Sequence, residues 1–125
     1  MTLYKLDISV VLLCYQTEDE VPSYVKEVRA CLMELDVKWE IVLVANYLAG
    51  SNDRTPEIAK KLSMQDSRVK FVAKEKKGMM GWDMKSGFEV ASGKTIVVMD
   101  GDGQYPFTDI KRVYKKLIDE DLDMV

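Results

Sequence analysis

The sequence of 125 residues contains no histidine and only two cysteines. Histidine is the commonest general base and the usual partner of a nucleophilic serine or cysteine, so its absence excludes catalytic groups of that kind. Cys14 and Cys31 lack CxxC spacing, which leaves zinc binding and thiol relays without support. We expect both to be buried, reduced thiols. Any chemistry must therefore use carboxylates, a metal ion or the charge of the substrate.

The sequence also lacks an excess of positive charge and any long apolar run. Its net charge of -3 disfavours nucleic acid as a partner, because binding to phosphates needs clustered lysine and arginine. The longest apolar stretch, residues 8–15, is too short to cross a membrane, and no secretory signal is visible. We expect a cytoplasmic location, at the cytoplasmic face of the membrane if the full-length protein is membrane-associated.

Four apolar runs alternate with amphipathic stretches along the chain. The runs, which are typical of buried parallel strands, are Ile8–Cys14, Trp39–Asn46, Val69–Ala73 and Thr95–Met99. The helical stretches are residues 21–35, a helix capped by Thr55 that extends to about Met64, Trp82–Ser92 closed by Gly93, and a helix that begins at Pro106. This order predicts a three-layer α/β/α Rossmann-like fold with a mostly parallel central sheet.

Two carboxylates, Asp100 and Asp102, follow the fourth predicted strand and are separated by Gly101. Carboxylates at the carboxyl end of a strand are suited to Mg²⁺ or Mn²⁺, which commonly accompany a diphosphate. The alternative is a plain Asp-Gly turn in a solvated loop. A calcium-binding EF-hand is excluded, because Tyr105 occupies the position that needs glycine and Lys111 replaces the final glutamate.

Polar segments follow each of the four predicted strands, and the carboxyl ends of parallel strands share one edge of the sheet. We therefore expect the loops to form a nucleotide-diphosphate site, in which the first forms a wall for the base, the second hydrogen-bonds the base or ribose, the third supplies a cation and the fourth holds the metal. The candidates, in chain order, are Tyr15, Glu18, Asn46, Asp53, Lys76, Lys77, Gly81, Asp100, Gly101 and Asp102. Taken singly, each has a structural alternative, such as a helix start, a turn or a solvated loop. The hypothesis depends on their convergence.

Several ordered blocks of the sequence resemble the family 2 glycosyltransferases with the GT-A fold, in particular the branch that is similar to dolichol-phosphate sugar synthases. The matching blocks are Ile8–Tyr15 with Glu18, Glu40–Val44, Gly50-Ser51 with Asp53 and Thr55, Lys85–Phe88, and Val97–Asp102 with Gln104 and Pro106. The resemblance implies binding of a nucleoside diphosphate sugar, with Asp100 near the ribose and diphosphate and Asp102 on the metal. It also implies that Tyr15 and Glu18 flank the nucleoside.

The chain departs from the family pattern in three places. Ala45-Asn46 stands where the family usually has a pair of aspartates after the second strand, and an apparent insertion, Tyr47–Ala49, follows. Asn46 carries no charge but can accept a hydrogen bond from a base. Leu13 replaces a frequent proline, which we treat as minor.

We accordingly predict a glycosyltransferase that uses Mg²⁺ or Mn²⁺ and inverts the anomeric carbon, with Asp100 and Asp102 as catalytic and metal-binding residues. The acceptor is open, and a polyprenyl phosphate is one candidate. Residues 1–125 are expected to form one nucleotide-sugar-binding domain, truncated at its C-terminal end and inactive alone. The alternatives are a noncatalytic nucleotide- or partner-binding module and, less favoured, a sugar nucleotidyltransferase, since no glycine-rich phosphate loop follows the first strand.

Overall fold

The computed structural model describes residues 6–14, 18–76, 80–100 and 109–119 of the chain. Within these ranges four strands alternate with four α-helices, and a short 3-10 helix (Glu18–Glu20) directly precedes the first α-helix. The strands are β1 (Leu6–Leu13), β2 (Trp39–Val44), β3 (Val69–Val72) and β4 (Gly93–Asp100), and the helices are α1 (Val21–Met33), α2 (Thr55–Gln65), α3 (Met80–Val90) and α4 (Asp109–Asp119). The predicted α/β alternation is confirmed.

The four strands form one sheet in the order β3-β2-β1-β4, and every neighbouring pair is parallel. β2 lies beside β1, and β3 lies beside β2 on the same side. β4 lies on the opposite side of β1, so the direction in which strands are added reverses after β3. In open α/β sheets the ligand crevice lies at such a reversal, outside the carboxyl ends of the strands. Leu13 of β1 and Asp100 of β4 are register partners at that point.

Helices cover both faces of the sheet, as the predicted three-layer arrangement requires. Helices α1, α2 and α4 pack on one face, where the core is formed by alternate residues of β1 and β2 together with helix residues such as Val28, Leu32, Ala59 and Ile110. Helix α3 packs on the other face against a smaller core that includes Val11, Leu13, Val42, Val44 and Val72. Nearly all of β1 and β2 is buried, which explains their continuous apolar sequences.

Helix α3 lies very close to the sheet because Gly87 has no side chain. A Cβ atom at Gly87 would collide with the Val11 side chain and would lie 3.0 Å from Val44 Cγ2. The position of α3, and therefore of the residues in its first turns, depends on this contact.

We expect Gly87→Ala to destabilise the protein. Overpacking a well-packed core costs about 1–3 kcal/mol, and the better helix propensity of alanine offsets only about 1 kcal/mol of this. Urea unfolding measures the change, with Glu89→Ala on the exposed side of the same helix as the control. The close packing of α3 would be contradicted if Gly87→Ala were as stable as the control.

The amino end of the sheet is held by a buried network centred on Glu40. Glu40 Oε2 accepts hydrogen bonds from Ser9 Oγ at 2.6 Å and from the Ser92 backbone N–H at 2.7 Å. The Lys70 ammonium lies 2.6 Å from Glu40 Oε1. Gly93 N–H donates to Ser9 Oγ at 2.7 Å, so the network joins all four strands in their amino-terminal halves.

Three local expectations from the sequence are wrong. Gly93 is the first residue of β4, and a Cβ atom there would lie 2.6 Å from the Ser9 backbone nitrogen, so glycine serves strand contact and not helix closure. Thr55 does not cap α2 but is its first helical residue, and its N–H donates a hydrogen bond to Asp53 Oδ1. Cys31 is only partly buried, although Cys14 is buried and both are free thiols.

No helix in the described ranges combines the length and apolar character needed to cross a membrane. Tyr105 and the predicted helix start at Pro106 lie outside the described residues.

Candidate functional site

Asp100 ends β4 at the carboxyl edge of the sheet and is half-buried there. It lies beside Leu13, at the reversal of strand order. Gly81 belongs to the first turn of α3. Four of the predicted site residues lie outside the described part of the chain: Tyr15, Lys77, Gly101 and Asp102.

Glu18 connects the loops after β1 and β2. Its carboxylate accepts from the Arg54 backbone N–H at 3.1 Å and lies 3.6 Å from the Arg54 guanidinium, and its own N–H donates to Thr55 Oγ1 at 2.9 Å. Glu18 has a φ of 43°, a left-handed conformation that is uncommon for a residue with a side chain. The contacts with Arg54 and Thr55 hold the residue in this conformation, next to the position predicted for the nucleoside.

Asp53 lies in the loop between β2 and α2. Its Oδ1 accepts from the Thr55 N–H at 3.0 Å and from Thr55 Oγ1 at 2.5 Å. Its Oδ2 is buried and has no hydrogen-bond partner among the residues that the structure describes. Asp53 therefore fixes Thr55 at the start of α2 through Oδ1, while Oδ2 accepts no hydrogen bond from the described residues.

Asn46 is the second residue after β2 and is only 1% exposed. Its Nδ2 donates to Asp83 Oδ1 at 2.9 Å and to Ser86 Oγ at 3.4 Å, and its Oδ1 accepts from the Lys74 backbone N–H at 2.9 Å. Both amide protons have acceptors within the protein. Any contact between Asn46 and a base is therefore limited to the remaining lone pair of Oδ1.

The apparent insertion after Asn46 continues the pairing of β2 with β3. Tyr47 forms an isolated parallel bridge with Glu75. The Tyr47 N–H donates to the Lys74 carbonyl at 3.0 Å, and the Lys76 N–H donates to the Tyr47 carbonyl at 2.6 Å. These bonds fix the backbone of the loop after β3 at the carboxyl edge.

Lys76, the predicted cation of the site, forms an ion pair with Asp83. The Lys76 ammonium lies 2.6 Å from Asp83 Oδ2, and the two side chains are 14% and 6% exposed. A buried carboxylate thus compensates the charge of Lys76 at the edge where the diphosphate is predicted.

The site residues predicted from the sequence do not include Asp83 or Ser86. Both are buried on the side of α3 that faces the sheet. Their spacing could have indicated a shared role, since residues three apart lie on the same face of a helix. A charged and a hydroxyl residue on a buried helix face need hydrogen-bond partners.

In the described ranges, no three side chains of the kinds that bind metals come together. Asp100 itself supplies carboxylate oxygens at the end of β4, which is the donor chemistry that Mg²⁺ and Mn²⁺ prefer. Asp100 is one carboxylate of suitable chemistry, and the divalent ion stays a prediction.

The model of the family described as "Glycosyl transferase family 2" matches residues 9–125. The chain belongs to this family. The resemblance inferred from the ordered sequence blocks is thereby confirmed, and the parallel sheet with helices on both faces agrees with the GT-A type of Rossmann-like fold.

Curated relatives in the family carry the name undecaprenyl-phosphate 4-deoxy-4-formamido-L-arabinose transferase. Those from Salmonella paratyphi A, Salmonella dublin and Salmonella choleraesuis are each 29% identical over 119 residues. Each alignment covers 94% of this chain and 35% of the relative. The chain therefore spans about a third of the length of the curated relatives it matches.

Proposed function

We propose that this chain is the nucleotide-sugar-binding part of a glycosyltransferase that transfers a sugar from a nucleoside diphosphate sugar to an acceptor. The observation that carries the proposal is the position of Asp100, at the end of β4 and beside the end of β1, where the strand order reverses. Membership of glycosyl transferase family 2 supports the same chemistry.

Asp100 and Asp102 would hold Mg²⁺ or Mn²⁺ in this function. A divalent ion held by these carboxylates would neutralise charge on a departing diphosphate. Glu18 and Asp53 would position the nucleoside from the loops after β1 and β2, which their contacts with Arg54 and Thr55 already organise. We propose an inverting displacement at the anomeric carbon and a cytoplasmic location; both rest on the sequence.

A polyprenyl phosphate is the acceptor that we propose for the full-length protein. The name of the curated relatives, undecaprenyl-phosphate 4-deoxy-4-formamido-L-arabinose transferase, contains a polyprenyl phosphate and supports this proposal. An ionised phosphate oxygen can attack without a general base, and a sequence without histidine is compatible with such an acceptor.

Calorimetry with UDP-sugars and GDP-sugars, each with and without Mn²⁺, tests this function. We expect one nucleotide class to bind in the presence of Mn²⁺ and to lose most of its affinity in EDTA. Binding that is independent of metal would support a noncatalytic nucleotide-binding module, and no binding to any nucleotide sugar would contradict the proposal.

A further inference from the structure

Asp83 is the residue through which three elements of the carboxyl edge are joined. Its Oδ1 accepts from Asn46 Nδ2, and its Oδ2 lies 2.6 Å from the Lys76 ammonium. Asn46 lies in the loop after β2, Lys76 in the loop after β3, and Asp83 in α3. The carboxylate thus connects α3 to the loops after β2 and β3. Both loops are expected to contact the nucleotide.

The contacts of Asp83 are buried, which makes them costly to break. Asp83 is 4% exposed and Asn46 is 1% exposed. A shorter side chain at position 83 would leave an amide N–H of Asn46 and the Lys76 ammonium without this acceptor, and a buried donor that loses its partner incurs its full desolvation penalty. The edge would therefore rearrange around a lost Asp83.

A second lysine–carboxylate pair joins the same loop to the same helix but is exposed. The Lys74 ammonium lies 3.5 Å from Glu89 Oε2, and the two side chains are 49% and 52% exposed. Exposed pairs of this kind contribute little, with a median of about 0–1 kcal/mol. Glu89 is therefore a matched comparison for Asp83, with the same chemistry and a different burial.

We propose that Asp83 is a positioning residue of the donor site, which holds Asn46 and Lys76 in place for the nucleoside diphosphate without contacting it. The inference rests on the proposed function, since it concerns the same site. Preorganised loops reduce the entropy that binding must otherwise overcome, so loss of the carboxylate is expected to weaken ligand binding even in a folded protein.

The test measures binding of UDP and of GDP with Mn²⁺ to the full-length protein and its variants, at a temperature where circular dichroism shows every variant folded. We expect Asp83→Ala to weaken the Kd of the bound nucleotide by about tenfold, because binding must then immobilise the side chains of Asn46 and Lys76 at about 0.5–1.5 kcal/mol each. Asp83→Asn, which keeps the shape and one acceptor oxygen, should fall between Asp83→Ala and wild type. Glu89→Ala should stay within about twofold of wild type.

A spectroscopic measurement separates positioning from general stability. In ¹⁵N spectra the Asn46 side-chain NH₂ protons should exchange slowly with water in wild type and in Glu89→Ala, and much faster in Asp83→Ala. The inference is overturned if folded Asp83→Ala binds the nucleotide as wild type does, or if its Asn46 protons remain protected. If wild type binds neither UDP nor GDP, the proposed function itself fails, and the inference fails with it.

Discussion

Replacing Asp100 by asparagine should remove most of the Mn²⁺-dependent affinity for the nucleoside diphosphate. The change deletes one negative charge at the end of β4 and leaves the shape of the side chain nearly the same. At an effective dielectric of about 20, a pair of unit charges 4 Å apart interacts by roughly 4 kcal/mol, which corresponds to about a thousandfold in affinity. Screening by water reduces this figure, so we expect a loss of about a hundredfold or more.

The control for Asp100→Asn is the same substitution at Asp36. Asp36 is exposed, lies between α1 and β2 at the opposite edge of the sheet, and has a φ of 53°, which asparagine tolerates well. Asp36→Asn should bind the nucleotide with wild-type affinity in Mn²⁺. If Asp100→Asn kept the full metal dependence in calorimetry, the role of this carboxylate would be refuted. Asp102→Asn is expected to have the same effect as Asp100→Asn.

The largest effect on stability is expected for Glu40→Gln. Glu40 is 2% exposed and its Oε1 lies 2.6 Å from the Lys70 ammonium. A glutamine can keep one oxygen for Ser9 and Ser92, but its NH₂ group then faces the ammonium and cannot accept a proton from it. The Lys70 side chain is 43% exposed and can regain hydration, so most of the cost comes from the buried amide group that is left unsatisfied. We expect the free energy of unfolding to fall by about 2–3 kcal/mol.

Denaturant unfolding of Glu40→Gln beside Glu34→Gln checks this value. Glu34 also pairs with a lysine, at 3.2 Å from Lys111, but its side chain is 65% exposed. The change at Glu34 should therefore cost less than about 1 kcal/mol. Equal losses of unfolding free energy in the two variants would show that the buried contacts of Glu40 stabilise the fold no more than an exposed ion pair does.

The contribution of Glu40 should also depend on pH. Burial alone would raise the pKa of Glu40, but hydrogen bonds from Lys70, Ser9 and the Ser92 backbone, together with the charge of Lys70, outweigh burial and lower the pKa below its usual value. A lowered pKa in the folded state stabilises the fold above the ordinary glutamate range, and this stabilisation is lost as the pH falls through the folded-state pKa. The stability difference between wild type and Glu40→Gln should accordingly shrink in acid.

The fold followed from the sequence because local patterns specify it. The apolar runs of β1 and β2 are continuous, as strands buried on both faces require, and the alternation of strands with helices predicts parallel pairing. The placement of Asp100 at the ligand edge followed from the same rules. These features depend on neighbouring residues and on general topology, which a single sequence carries.

The contacts within the site did not follow from the sequence, because they join residues that are distant along the chain. Asn46 and Asp83 are 37 positions apart, and Gly93 and Ser9 are 84 positions apart. The sequence predicts that Asn46 can bind the base but does not show that its amide is bonded to Asp83, Ser86 and Lys74. Which side chains meet depends on strand register and on the close approach of α3 at Gly87, and neither leaves a local signal.

Paramagnetic broadening by Mn²⁺ in the presence of UDP or GDP tests the central claim most directly, since it locates the metal–nucleotide complex on the sheet. We predict that backbone amide signals of Leu13, Cys14, Met99 and Asp100 broaden first in a titration with substoichiometric Mn²⁺. Signals of Gly93 and Lys94, at the other end of β4 and roughly 20 Å away at 3.3 Å per residue, should persist. Broadening centred on the amino end of the sheet, or no nucleotide-dependent broadening at Asp100, would contradict a donor site at the carboxyl edge.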